Sequence, residues 1–174
     1  MRVLIIGCGF VGRKLGVQLR SKGHYVIGTT TRREQAELLE DACDEIRVLR
    51  GSEMQKIHGA AKGCDAIVVS TRPQADELMS NRTLSNVYDE ALVETAMSVA
   101  SAPIDGPVLI LSSLAIYGNA ADTLEFIDEE APVTDSCDAM PRAFRESESV
   151  YRDLAPNRHV IFRCSEIIES GYPI

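Results

Sequence analysis

Gly7, Gly9 and Gly12 stand in the run MRVLIIGCGFVGRKLGVQL, where an apolar stretch gives way to a basic, helix-like one. Glycine in a helix interior costs roughly 0.5–1 kcal/mol relative to alanine, so three at this spacing need a chemical reason. A G-x-G-x-x-G that follows a strand and opens a helix supplies one. Gly7 permits a tight turn, Gly9 lets the backbone approach a pyrophosphate, and Gly12 lets helix and strand pack closely. Phe10 and Val11 then lead into a helix whose N–H donors and positive end face the anion. The alternative is a tight turn that needs glycine for packing alone. Cys8 reads as a small filler of the loop, with a redox role as the lesser alternative.

The next question is which dinucleotide such a loop would take. NAD sites usually hold the ribose 2′-hydroxyl with an Asp or Glu roughly 20 residues past the loop. Here the corresponding stretch is GTTTRRE, with Thr29, Thr30 and Thr31 where the carboxylate is expected and Arg32 and Arg33 directly after. Hydroxyls and guanidinium forks bind a 2′-phosphate that a carboxylate would repel. Thr30, Arg32 and Arg33 therefore predict NADP, with NAD the less favoured cofactor. The alternative is that the arginines only solvate a helix start, although cations there oppose the helix dipole. Ser70 and Thr71, at the end of a later apolar run, are expected to line the same site.

These residues need elements to hold them. VLII (3–6), YVIG (25–28), IRVL (46–49), AIVV (66–69), VLIL (108–111) and HVIF (159–162) are short apolar runs. Such runs form strands buried on both faces. Helices are predicted between them at 11–22, 32–42, 53–61, 84–101 and 139–153. On the first, Val11, Leu15 and Leu19 recur every four residues. Alternation with right-handed crossovers predicts an α/β fold, a doubly wound (Rossmann) parallel sheet of strand order 3-2-1-4-5-6. One dinucleotide-binding domain is expected to span residues 1–174.

The 174 residues, 45% apolar and 25% charged, can build one ordinary core. No run is long enough for a membrane span. No signal peptide is expected, because the apolar run after Met1 and Arg2 is too short. Cys8, Cys43, Cys64, Cys137 and Cys164 are scattered without C-x-x-C spacing, which suits reduced thiols in a cytoplasm and offers no metal site. His24, His58 and His159 lie too far apart in sequence for ligand spacing. A net charge of −8 argues against nucleic acid as a partner. Asp122, Glu125, Asp128, Glu129 and Glu130 read as a solvated loop face.

After the fifth run comes LSSLAIYGNAADTLEFIDEEAP. Together with the glycine loop this resembles the extended and atypical short-chain dehydrogenase/reductases, the NAD-dependent epimerase/dehydratase family. The fifth strand of that family typically ends Ser-Ser-x-x-x-Tyr-Gly, followed by an acidic residue and a proline. Ser112, Ser113, Tyr117, Gly118, Glu129 and Pro132 carry the match, and NVYDEALVETA (86–96) and VIFRCSEII (160–168) continue it along nearly the whole chain. The resemblance implies Ser112 at the cofactor and Ser113 as the catalytic serine holding a substrate oxygen, in the crevice at the carboxyl ends of the strands. A strand-end serine capping the next turn is the alternative. Tyr117 is read either as a pocket-wall aromatic or as a proton donor.

The resemblance fails on the next helix. There the family carries a Tyr-x-x-x-Lys pair, stacked on one helix face, that exchanges a proton and holds the ribose. The segment AMPRAFRESESVYRD puts Met140 and Phe144 at the two positions, and Tyr151 has Ala155 four residues on. Ser52 stands where the family often places an Asp near the adenine. Extended members also continue well past the sixth strand, so most of the C-terminal substrate part is expected to be missing. Two functions follow. One is an atypical NADP-dependent oxidoreductase or epimerase acting on a sugar nucleotide or small carbonyl compound. The other is a non-catalytic NADP-binding sensor or partner-binding subunit. A homodimer is a possible assembly.

Overall fold

A computed structural model of the chain describes residues 1–122, 126–165 and 167, without the side chains of 119–122. Its first strand, β1 (Arg2–Ile6), shows why the apolar runs are unbroken. Val3 and Ile5 belong to the core on one face of the sheet and Leu4 and Ile6 to the core on the other. Successive residues of a strand face opposite ways, so only a strand covered on both sides needs a continuous run.

The chain continues through α1 (Phe10–Ser21), β2 (Tyr25–Thr30), β3 (Glu45–Val48), α2 (Met54–Ala61) and β4 (Ala66–Val69). Then come α3 (Ala75–Leu78), α4 (Leu84–Tyr88), α5 (Thr95–Ala100), β5 (Val108–Ser113), α6 (Ala139–Leu154) and β6 (His159–Cys164). Every strand pair is parallel and the order is β3-β2-β1-β4-β5-β6, as the alternation predicts. The chain leaves β1 for β2 on one side and returns to β4 on the other. Ligands of open α/β sheets bind beyond the carboxyl ends of the strands at such a reversal.

Two cores flank the sheet. Leu4, Ile6, Ile67 and Ile110 pack with Ile57 of α2, Val99 of α5 and Tyr151 of α6. Val3, Ile5, Val26 and Val68 pack with Leu15 and Leu19 of α1 and with Leu39, Ala42 and Cys43. Beside α1 on this second face lies a groove of about 590 Å³, lined by Phe10, Val11, Val68, Leu109 and Phe162 among others. Among the described residues no helix is long and apolar enough to cross a membrane.

Two helices depart from expectation. In place of a helix over 32–42 there are two 3₁₀ turns, Arg33–Gln35 and Glu37–Leu39. Arg20 donates to the carbonyls of Glu40 and Asp41 at 2.9 Å each, and Arg13 pairs with Asp41 at 2.8 Å. The Ala42 backbone is pressed against Gly16, where no side chain would fit. Such tertiary contacts override helix propensity, which is a weak prior. The helix expected over 84–101 is interrupted by a π segment, Asp89–Glu94. At its end the Thr95 hydroxyl donates to the Glu90 carbonyl at 3.3 Å.

Candidate functional site

The loop between β1 and α1 is built from backbone. Gly7 has φ +85°, which L side chains rarely adopt, and a Cβ there would press on the Ser70 carbonyl. Its N–H donates to Thr29 Oγ1 at 2.9 Å, and its carbonyl accepts from Ser70 Oγ at 2.7 Å. A Cβ on Gly12 would lie 2.6 Å from the Gly7 carbonyl oxygen, so this glycine lets α1 start close against β1. Gly9 is different. A Cβ there would meet nothing within 4 Å.

Gly9 is also the N-cap of α1, with no side chain capping the helix and no acidic residue in its first turn. The first N–H groups of a helix have no intrahelical acceptor, and they sit at the positive end of its dipole. Those of Phe10, Val11 and Gly12 thus face an open approach beside Gly9, which is the fit a pyrophosphate requires. The Phe10 and Val11 side chains line the groove beside α1, so their backbone, not their side chains, serves the loop. Ser70 and Thr71 prop the loop from beneath. The Ser70 hydroxyl is engaged by Gly7, and the Thr71 methyl packs where a Gly7 side chain would go.

The corner beyond β2 is held by charge. Thr29 is buried under Gly7, and Thr30 Oγ1 accepts the Arg32 N–H at 3.2 Å, fixing the turn. Arg32 reaches to the segment after β4, donating to Asp76 at 2.7 Å and Gln74 at 3.3 Å. Arg33 is exposed. Arg50, just after β3, pairs with Glu77 at 2.7 Å. Burial pushes the Glu77 carboxyl up, but the Gln74 N–H and Arg50 outweigh it and leave it below its ordinary range. Two arginines thus clasp α3 over this corner. Ser52 Oγ lies 3.5 Å from Glu90 Oε1.

At the end of β5 two adjacent serines part company, because the strand alternates between buried and half-buried positions. Ser112 is buried and donates to Glu148 Oε1 at 2.6 Å. Its hydroxyl is turned inward, toward α6. Ser113 is half-buried, and its Oγ accepts the Ala115 N–H at 3.1 Å. It caps the next turn, and among the described residues its own O–H donates to no acceptor.

Tyr117 is buried, its hydroxyl donating to the Asp128 carbonyl at 2.8 Å and accepting from Arg163 at 2.5 Å. Both the donor and the acceptor side of that hydroxyl are engaged. Behind it lies Glu148, 0% exposed, paired with Arg163 at 2.8 Å and Arg152 at 2.6 Å. Burial pushes the Glu148 carboxyl up, but the hydrogen bonds from Arg163 and Ser112 prevail and hold it below the ordinary carboxylate value. The Arg163 guanidinium is correspondingly raised by Glu148.

On α6, Met140 is exposed and Phe144 half-buried, so neither position offers a proton. Arg142 is tied to Asp89 at 2.5 Å and to Ser85 at 2.8 Å. Tyr151 is sealed in the core, its hydroxyl finding no partner among the described residues, and burial pushes its pKa up. Asp128 Oδ1 accepts the Glu130 N–H at 3.1 Å in the acidic loop; the Asp122 and Glu125 side chains lie outside the described residues. Among the described residues no group of three His, Cys, Asp or Glu is placed to hold a metal.

Sequence reasoning missed the Arg50–Glu77 and Arg32–Asp76 clasp and the depth of the Glu148–Arg163 pair. A signal for the latter did exist. Glu148 lies on the inward side of α6 with Ala143, Ser147 and Tyr151, where a carboxylate needs a partner.

The sequence pattern of the NAD dependent epimerase/dehydratase family matches residues 3–165. Solved structures share the fold. The UDP-Glc/GlcNAc 4-epimerase of Campylobacter jejuni is 20% identical with a TM-score of 0.73, over 93% of this chain and 52% of that one. The UDP-glucose 4-epimerase of Bifidobacterium longum, in complex with NAD+ and UDP, is 17% identical with a TM-score of 0.73, over 94% and 52%. That of Stenotrophomonas maltophila, with bound NAD and formylated UDP-arabinopyranose, is 16% identical with a TM-score of 0.76, over 94% and 52%. The chain spans about half the length of these solved structures.

Proposed function

The chain belongs to the NAD dependent epimerase/dehydratase family, and from that membership we propose that its glycine loop binds a nicotinamide dinucleotide, NADP in preference to NAD. The strongest support is the open face of Gly9 beside the uncapped start of α1. There the N–H groups of Phe10, Val11 and Gly12 would hold the pyrophosphate. Thr30, Arg32 and Arg33 would take the 2′-phosphate, which would replace Asp76 on Arg32. Of the three solved structures named above, two carry NAD. Here, however, β2 ends in threonines where NAD sites place a carboxylate for the ribose. When bound, the nicotinamide supplies a hydride donor or acceptor.

The substrate class that fits the family is a sugar nucleotide or a small carbonyl compound, its oxygen held by the free proton of Ser113. General acid–base help, typically worth ~10²–10⁴-fold, has no Tyr-Lys source on α6. Turnover by this chain should therefore be slow. A second reading, a non-catalytic NADP-binding sensor or partner-binding subunit, draws on the fully engaged Tyr117 hydroxyl.

The test pairs equilibrium binding of NADPH and NADH with NADPH oxidation across a panel of sugar nucleotides and carbonyl compounds. Turnover that disappears in Ser113→Ala supports the oxidoreductase or epimerase. Binding with no turnover on any substrate favours the sensor. Failure to bind either dinucleotide contradicts both.

A further inference from the structure

Cys8 and Cys43 are 35 positions apart in the chain, yet their Sγ atoms lie 3.9 Å from each other. Both side chains are buried, and they meet over Gly28 of β2. A Cβ on Gly28 would collide with Cys43 Sγ and lie 2.8 Å from Cys8 Sγ, so that glycine leaves the space in which the sulfurs face each other. Cys8 is the residue between Gly7 and Gly9, and its N–H is anchored to the Thr29 carbonyl at 2.8 Å. Cys43 follows the second 3₁₀ turn, in the irregular segment that replaces a helix. A disulfide needs an S–S distance of ~2.05 Å, so the sulfurs must close by roughly 2 Å.

We propose that Cys8 and Cys43 form a reversible disulfide that pulls the glycine loop out of its anion-binding conformation and so turns dinucleotide binding off. The switch rests on the dinucleotide-binding reading above. Its oxidant is a small hydroperoxide. The Cys43 thiolate attacks the O–O bond, giving a Cys43 sulfenic acid and, after protonation, one water from hydrogen peroxide. The Cys8 sulfur then displaces the sulfenic oxygen, forming the S–S bond and releasing a second water. Two thiols lose two electrons and two protons, and one peroxide is reduced to two waters.

The assignment of roles follows from the surroundings. The Cys8 hydrogen bond and then the Arg20 charge favour the Cys43 thiolate against the opposing effect of burial. Cys8 is held as the thiol by that same shared proton and by burial. Linkage makes the effect mutual: a dinucleotide on the loop disfavours the disulfide by the factor that the disulfide weakens binding.

The experiment uses the chain with Cys137→Ser and Cys164→Ser, which removes the two accessible thiols. Hydrogen peroxide should yield a Cys8–Cys43 cross-linked peptide lighter by two hydrogens. NADPH affinity should fall at least tenfold, dithiothreitol should restore it, and bound NADPH should slow the oxidation. Cys43→Ser should bind NADPH normally and ignore peroxide, with Cys43→Ala in its place if the serine fails to fold. No cross-link, or a cross-link with unchanged affinity, overturns the switch. If the reduced protein binds neither NADPH nor NADH, the functional reading fails instead. Amide exchange over residues 7–12 then judges the switch alone: faster exchange after cross-linking supports it, and unchanged exchange overturns it.

Discussion

The two strand ends that face the crevice are made of different materials. At β1 and α1 the reactive surface is backbone, shaped by Gly7, Gly9 and Gly12, and the side chains around it point inward as props. At β5 and α6 the polar groups are side chains, and nearly all of them bind one another: Ser112 to Glu148, Glu148 to Arg163, Arg163 to Tyr117. A site made of backbone survives changes in its surroundings as long as the glycines remain. Side chains that bind one another act as scaffold, as they do at this end of the sheet.

That contrast breaks first if the β5 end is not structural. Glu148→Ala leaves the Arg163 side chain, 13% exposed, without its carboxylate partner. Removing one member of a buried pair costs about 3–5 kcal/mol, and denaturant unfolding should show a loss of that order. The same pair sets an acid limit. Because the folded Glu148 carboxyl is held below its unfolded value of about 4.3, it contributes stability fully above that value. The contribution disappears as pH falls through the lower, folded value. Wild type should therefore lose stability on acidification more steeply than Glu148→Gln, and parallel pH–stability curves would argue against the pair.

Arg32→Ala probes the other end with a smaller effect. A charge-assisted hydrogen bond contributes ~1.5–3 kcal/mol, so NADP affinity should fall about tenfold or more while NAD affinity holds. Wild type that binds NAD as well as NADP would remove Thr30, Arg32 and Arg33 from the phosphate role. The smallest effect is expected at Tyr151→Phe, which deletes a buried hydroxyl that has no partner among the described residues. Tm should stay level or rise slightly, and a clear fall would show that the hydroxyl is bonded after all.

The sheet was legible because burial on both faces writes itself as unbroken apolar runs, and the glycine loop because its geometry excludes side chains at Gly7 and Gly12. The 32–42 segment misled because its propensity is helical, while the Arg13 and Arg20 contacts that unwind it come from another helix. Ser112 and Ser113 look alike in sequence. Only strand alternation, read against a buried Glu148 that comes much later in the chain, sends one inward. The Arg32–Asp76 clasp and the Cys8–Cys43 contact join residues with no local spacing, so chain order alone could not pair them.

The most direct test of the backbone site is a calorimetric titration of NADP into wild type and Gly9→Leu. A Cβ on Gly9 meets nothing within 4 Å, so a leucine side chain there would occupy the approach to the helix start, and the comparison is made once its Tm matches that of wild type. Saturable binding by wild type and none by an equally stable Gly9→Leu is the predicted result. Equal binding by the two proteins, or none by wild type, would contradict the account.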